Sequence, residues 1–320
     1  MSRGVPVSQR APPASLPPNE RWEPAVTQPL RGQVALVAGA TRGAGRAIAV
    51  SLGLAGATVY ATGRSVRGHP ATEGRPETVT ETAEIIRAYG GRAYGVRVDH
   101  TEEREVRRLL ERIRRSERGR LDLLVNDIWG GEELTQWGRP PWKMDYRLGR
   151  TMVERGVLTH LLTSRYALPL MVRRRRGLVL EVTDGDHQEY RGSIYYDLVK
   201  TSVIRLALAQ HAEFEEAGLR TMSALAVTPG FLRSEFMLEQ FGVTEANWWD
   251  AARRVRRFEF SETPYFLGRA VVALATDPNV HAKSGKVYGT WTLAKEYRFT
   301  DRDGSRPDWG RVFAAAARGG

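Results

Sequence analysis

Gln33-Val34-Ala35-Leu36-Val37-Ala38-Gly39-Ala40-Thr41-Arg42-Gly43-Ala44-Gly45-Arg46-Ala47-Ile48-Ala49 is the stretch from which the rest of the chain is read. Val34–Ala38 is an unbroken apolar run, as expected of a strand buried on both faces. Gly39, Gly43 and Gly45 make a glycine-rich turn, and a small-residue amphipathic helix is predicted over Arg46–Leu54. A strand, a glycine turn and a helix N-terminus together hold a dinucleotide pyrophosphate. The turn lets backbone approach the ligand, and the helix end offers free N–H groups and a positive dipole. Such a turn can also serve tight packing alone. Its setting favours the nucleotide, because a second strand is predicted at Thr58–Thr62, at βαβ spacing.

The chain has 320 residues and 42% hydrophobic content, enough for one large α/β domain or two small ones. No apolar run is long enough to cross a bilayer, and the N-terminus lacks the apolar core of a signal peptide, so a cytoplasmic protein is expected. With no cysteine, disulfides, thiol nucleophiles and Cys-zinc sites are excluded. Six histidines are scattered without metal-ligand spacing, so no metal is expected. The net charge of +11 comes from 48 Lys and Arg, of which only five are lysines. That bias fits a GC-rich genome as well as an acidic partner. The basic runs Arg104–Arg120 and Arg173–Arg176 fall on helix faces or ends and read as solvated surface. No nucleic-acid partner is expected, since no aromatics interleave with these runs and no reading motif is present. A basic surface does favour an anionic, phosphorylated cofactor.

Residues 1–29, with Pro-Pro at 12–13 and 17–18, read as a disordered or draped arm. The domain is expected over 30–295, followed by a polar C-terminal tail, 296–320. Further strands are predicted at Arg92–Val98, Leu121–Val125, Leu178–Val182, Thr221–Val227 and Lys286–Thr290. Helices are predicted at Val79–Tyr89, Glu102–Glu117, Gly149–Val172, Ile194–Ala217 and Thr263–Ala275. Strands alternating with helices give a three-layer α/β/α doubly wound parallel sheet of about seven strands, a Rossmann fold. A small helical lid is expected over 231–262.

Several motifs fall in order on these elements. The glycine turn is one. Tyr196-Asp197-Leu198-Val199-Lys200, Pro229-Gly230, Asp99 after the third strand and Asn126-Asp127 after the fourth are the others. With these the chain resembles the short-chain dehydrogenase/reductase family over about 30–289. The resemblance implies an oxidoreductase moving hydride between a nicotinamide cofactor and a carbonyl/alcohol substrate. It implies Tyr196 as proton donor or acceptor, with Lys200 lowering its pKa and holding ribose. It implies cofactor contacts from Gly39, Thr41, Gly43, Ala44, Gly45, Asp99, Asn126, Pro229, Gly230, Leu232 and Ser234. A homodimer or homotetramer, through the two helices flanking the site, is implied too. The Tyr–Lys spacing has its own physical sense, because positions i and i+4 share one helix face. Bringing a tyrosine from a pKa near 10 to about 7 takes roughly 4 kcal/mol.

Cofactor choice follows charge. An acid after the second strand would bind a ribose 2′-OH, whereas arginine suits a 2′-phosphate. The segment Tyr60-Ala61-Thr62-Gly63-Arg64-Ser65 has no acid. Arg64 and Ser65, with Arg42 in the turn, point to NADP(H), and NAD(H) stays open.

The pattern breaks at the fifth strand. The family ends it with Ser-Ser, the second of which binds the substrate oxygen; here stands Val182-Thr183-Asp184-Gly185. Aligned on the strand, Asp184 takes that serine's place, while the family's usual spacing back from Tyr196 gives Thr183. In the preceding helix Val153 stands where the family has a proton-relay Asn. Trp129, His187, Phe231 and Trp248 are candidate substrate contacts, though the lid aromatics equally suit packing between short helices and His187 a loop hydrogen bond. The alternatives to a carbonyl reductase are a lyase or enoyl reductase using the same pair, and a nucleotide-binding sensor that has lost turnover.

Overall fold

The computed structural model describes residues 28–72, 74–187 and 189–312. All but the last two positions of the expected arm lie outside them, as do the final eight residues.

Seven strands form one parallel sheet: β1 (Val34–Ala38), β2 (Thr58–Gly63), β3 (Arg92–Arg97), β4 (Leu123–Asn126), β5 (Gly177–Val182), β6 (Met222–Thr228) and β7 (Val287–Gly289), in the order β3-β2-β1-β4-β5-β6-β7. This is the three-layer Rossmann architecture that the sequence predicts. Alternate residues of each strand feed opposite faces. Ala35 and Val37 join one core with α1 (Gly43–Leu54), α2 (Val79–Ala88) and α9 (Pro264–Thr276); Val34 and Leu36 join the other with α3 (Glu103–Ser116), α5 (Thr159–Arg173) and α6 (Ile194–Glu216). Strand order reverses about β1, which pairs with both β2 and β4. A crevice therefore opens at the carboxyl ends of β1 and β4, where α/β sheets bind ligands.

The helix expected from Gly149 begins earlier. Asp145 caps it by accepting from Arg147 N, giving α4 (Tyr146–Val153). One π-helical turn, Glu154–Leu158, joins it to α5. Two glycines let this helix lie close on α6: a Cβ on Gly149 would sit 2.4 Å from the Tyr195 ring, and one on Gly156 2.6 Å from Val199.

The predicted lid is present as α7 (Glu235–Gln240), α8 (Trp249–Ala252) and a 3-10 turn at Arg256–Phe260. The expected polar tail differs. Thr290–Tyr297 form α10, with Trp291, Leu293 and Ala294 buried. Beyond it Asp301, 1% exposed, accepts from Thr263 N and Oγ1. Phe299 packs on Phe266 and Trp309 on Phe231. Tyr297, Phe299 and Trp309 all contact the body, so this stretch is part of the fold rather than a tail.

Candidate active site

The glycine turn is shaped by what it must avoid. Gly39 has φ +94°, and a Cβ there would lie 2.1 Å from the Asp127 carbonyl oxygen. One on Gly45 would lie 2.3 Å from the Gly39 carbonyl and 2.7 Å from Asp127 Oδ2. Gly43, at φ +55°, opens α1. Arg42 occupies the N-cap without a capping side-chain bond. The Gly43 N–H instead donates to Glu235 Oε2 from the lid helix, at 2.8 Å. A carboxylate thus sits where a helix N-terminus holds an anion, and a pyrophosphate oxygen would make the same bond. The cradle fits a dinucleotide.

Thr41 packs its hydroxyl against Gly63 at the end of β2, while Arg46 links the Thr41 carbonyl to Glu81. Arg64 extends towards Gly130 and lies in the field of Asp99. Burial opposes the charge on Asp99, yet bonds from Thr101 N and Oγ1, aided by Arg64, hold its carboxyl below the ordinary value.

Two expected cofactor contacts are corrected. Ser65 is buried and its Oγ accepts from Ala71 N, so it shapes the loop after β2. Asn126 points into the sheet, where its Nδ2 donates to Ser164 Oγ and Glu181 Oε1. Glu181 also binds Gln210 and His160 there, a fully buried polar knot under the crevice. These two bonds direct the Asn126 amide nitrogen into the sheet.

At the neighbouring strand ends Tyr196 and Lys200 project from α6. Tyr196 Oη donates to Asp184 Oδ2 at 2.7 Å. Thr183 and Asp184 thus differ in their partners: Thr183 Oγ1 donates to the Lys200 carbonyl, at 2.7 Å, while Asp184 accepts from Tyr196. Trp129 meets the Tyr196 ring edge-on with centroids 5.6 Å apart, and Trp137 lies at 5.0 Å. Lys200 Nζ stands 4.0 Å from the Trp129 ring centroid and 5.5 Å from that of Tyr196. Burial pulls Lys200 below its ordinary value, against Asp184, Asp127 and Glu132. Burial, then Asp184, pushes the Tyr196 phenol well above its own. Two full negative charges 2.7 Å apart would repel by about 6 kcal/mol at an effective dielectric of about 20. That exceeds the roughly 4 kcal/mol needed to bring a tyrosine to neutral pKa. Tyr196 therefore keeps its proton, which it shares with Asp184 in the hydrogen bond.

Asp127, which the sequence reading passed over, lies between the turn and Lys200; burial pushes its carboxyl up to about 7, with Lys200 and His160 opposing. The available signal was an acid directly after Asn126 at the end of the fourth strand. Arg191 was also missed. Its Nε donates to the Asp184 carbonyl, its Nη1 to Asp197 and Thr201, and its Nη2 to the His187 carbonyl, folding the loop after β5.

Of the candidate substrate contacts, only Trp129 stands at Tyr196. His187 accepts from Glu189 N through Nδ1, a loop bond. Phe231 and Trp248 are corrected: both enter the lid's own core with Phe258, and the Arg233 guanidinium covers Trp248 at 4.0 Å. Around the sixth strand's end, Gly230 N donates to Glu262 Oε2, Leu232 bridges to Glu262, and Ser234 caps α7. Among the described residues no cluster of His, Asp and Glu could hold a metal, and no helix is long and apolar enough to cross a membrane.

The family model for short chain dehydrogenases matches residues 33–242. The chain belongs to the short-chain dehydrogenase/reductase family. It is 35% identical over 280 residues to dehydrogenase/reductase SDR family member 1 of Mus musculus, covering 86% of this chain and 85% of that one. The Homo sapiens protein of that name is 33% identical over 279 residues, with the same coverage. Among solved structures, an actinorhodin polyketide ketoreductase variant with NADPH superposes with a TM-score of 0.65 at 22% identity, over 80% of this chain and 95% of that one. A metagenomic short-chain oxidoreductase in complex with NADP gives 0.60 at 22%, over 79% and 94%. As a member of the short-chain dehydrogenase/reductase family, the chain is an NAD(P)-dependent oxidoreductase.

Proposed function

We propose that the protein is an NADP(H)-dependent reductase of a small carbonyl compound, with Tyr196 as the proton donor and Lys200 beside it. The observation that carries this reading is the pair itself: both side chains leave α6 together, next to the glycine turn and the N-terminus of α1. Gly39, Thr41, Gly43, Ala44 and Gly45 would hold the pyrophosphate, and Asp99 the adenine side. Arg42 and Arg64 suit a 2′-phosphate, and the NADPH and NADP in the two superposing structures support that choice. Pro229, Gly230, Leu232 and Ser234 would flank the nicotinamide, whose chemistry when bound is hydride transfer. Lys200 would hold ribose hydroxyls and supply positive charge near the phenol. A neutral Tyr196 suits the reductive direction, in which it gives its proton to the oxygen of the forming alcohol. The expected self-association finds support in large apolar side chains exposed on the flanking helices, among them Leu158, Leu161 and Leu198, at 50%, 46% and 51%.

A nucleotide-binding sensor is the second reading. The bond from Tyr196 to Asp184 favours it, since a raised phenol pKa opposes turnover in the oxidative direction. Fluorescence titration with NADPH and NADH, followed by turnover on ketones, aldehydes and alcohols, separates the two. Tyr196→Phe is expected to cut kcat/KM by about 10²–10⁴-fold while leaving NADPH affinity within about twofold. Turnover that survives this substitution refutes the proton-donor role. Tight NADPH binding without turnover on any carbonyl favours the sensor.

A further inference from the structure

Asp184 is the side chain that sets this site apart, and it poses a chemical problem for a carbonyl substrate. A serine there can donate to a carbonyl oxygen, whereas an ionised carboxylate only accepts. Whatever part of the substrate faces Asp184 must therefore be a donor. Charge narrows the donor further. Tyr196 Oη donates to Asp184 Oδ2, so its proton is directed to the carboxylate and away from a substrate oxygen. Loss of that proton would leave phenolate against carboxylate. A neutral hydroxyl on the substrate would satisfy a lone pair and leave that repulsion in place. A cationic N–H group would satisfy it and cancel the charge.

Among the described residues no cation is hydrogen-bonded to the Asp184 carboxylate, although the Lys200 ammonium lies in its field. Arg191 donates to the Asp184 carbonyl and spends its remaining nitrogens on Asp197, Thr201 and the His187 carbonyl. Glu132 adds further negative field at Tyr196 and Lys200. The walls suit a cation as well. Trp129 already carries the Lys200 ammonium on its face, and Trp137, more than half exposed beside the Tyr196 ring, offers a second indole.

Building on the reductase reading, we propose that the substrate is a vicinal amino ketone, reduced to its amino alcohol, with the ammonium seated on Asp184 and the carbonyl oxygen on Tyr196. Nitrogen and oxygen on adjacent carbons, when gauche, lie about as far apart as the 2.7 Å between Tyr196 Oη and Asp184 Oδ2, so one substrate spans both groups. The ammonium replaces Tyr196 as the donor to Oδ2, and the phenol O–H is released to turn to the carbonyl. The reaction balances without another reactant: hydride from NADPH adds to the carbonyl carbon, the former π pair on oxygen takes the Tyr196 proton, and solvent reprotonates the phenolate. The ammonium keeps its protons throughout. Asp184 is thus a specificity-determining residue, and Trp129 and Trp137 line the cation's side.

The test uses the full-length protein with a matched series of ketones on one scaffold, bearing amino, hydroxyl or methyl on the adjacent carbon. Wild type is expected to reduce the amino ketone with kcat/KM about 10- to 100-fold above the methyl ketone. The corresponding amino alcohol, with NADP present, is expected to bind more tightly than its methyl analogue by calorimetry, a readout that does not depend on turnover. Asp184→Ser and Asp184→Asn should both abolish the preference, and Asp184→Ser should raise methyl ketone reduction. Equal turnover and equal binding across the series overturns the inference and leaves the reductase standing. So does a hydroxyl preference equal to the amino one, or an amino preference that survives in both variants. If no ketone is reduced although NADPH binds, the reductase reading fails and this inference falls with it.

Discussion

Glu262 shows at a single residue how burial turns into pH dependence. Its Oε2 accepts from Gly230 N and Thr290 Oγ1, and it lies between the lid and the end of β6. Burial pushes its carboxyl from 4.5 up to about 8, against those bonds and Arg233. The folded chain therefore keeps a proton that the unfolded chain loses, and the stability this gives falls away as pH rises from about 4.5 through about 8. Asp127 works in the same direction. Glu262→Gln keeps a neutral acceptor in place, so the drop in Tm between pH 6 and pH 9 (about 2–8 °C per kcal/mol lost in domains of up to 250 residues) should be smaller than in wild type. An equal drop in both proteins would refute the assignment. Nothing in the sequence around Glu262 marks this behaviour, because it arises from burial that only the packed chain provides.

At the scale of elements, α7 and α1 share one hydrogen bond with consequences for the cofactor. Glu235 takes the Gly43 N–H that a pyrophosphate would also use, and Glu239 on the same helix pairs with Arg75 of the loop after β2. The lid is therefore fastened across the anion seat, and its carboxylate is a competitor with like charge to the ligand. Glu235→Gln removes that charge and should tighten NADPH binding by about 2- to 5-fold, in line with a helix-dipole interaction of about 0.3–1 kcal/mol. Titration followed by fluorescence measures it, and unchanged or weaker binding would show that Glu235 serves the holo site instead. Ser234, one residue earlier, was legible as a family motif. Glu235 was not, since its partner is a backbone group 192 positions away.

The whole molecule leaves an apolar margin on the α4–α6 side. Leu158 and Leu161 are exposed on the long helix and Leu198 on α6, two residues past Tyr196. A second copy of the chain would cover such side chains, and closed homo-oligomers bury self-complementary patches of this kind. Leu161→Arg is expected to shift sedimentation towards the monomer without loss of NADPH binding. A variant that sediments as wild type does would exclude this face. The same helices hold Trp129, Tyr196 and Lys200 in place through Gly149 and Gly156, so fold and assembly act on one set of elements.

What the sequence by itself determined is the sheet, the glycine turn and the Tyr196–Lys200 pair. All three rest on local spacing: apolar runs of strand length, glycines where backbone must come close, and the i, i+4 geometry of one helix. The family resemblance added the expectation of a serine after β5, where the chain has Thr183 and Asp184, and left open which of them takes its place. Only the tertiary structure shows their partners, the Lys200 carbonyl for Thr183 and the Tyr196 hydroxyl for Asp184. The same holds for Asn126 and Ser65, drawn into buried bonds, for Phe231 and Trp248, drawn into the lid core, and for the folded 296–312. Each of these depends on which distant group satisfies a buried polar atom or covers an apolar one, and a chain read position by position carries no record of that partner.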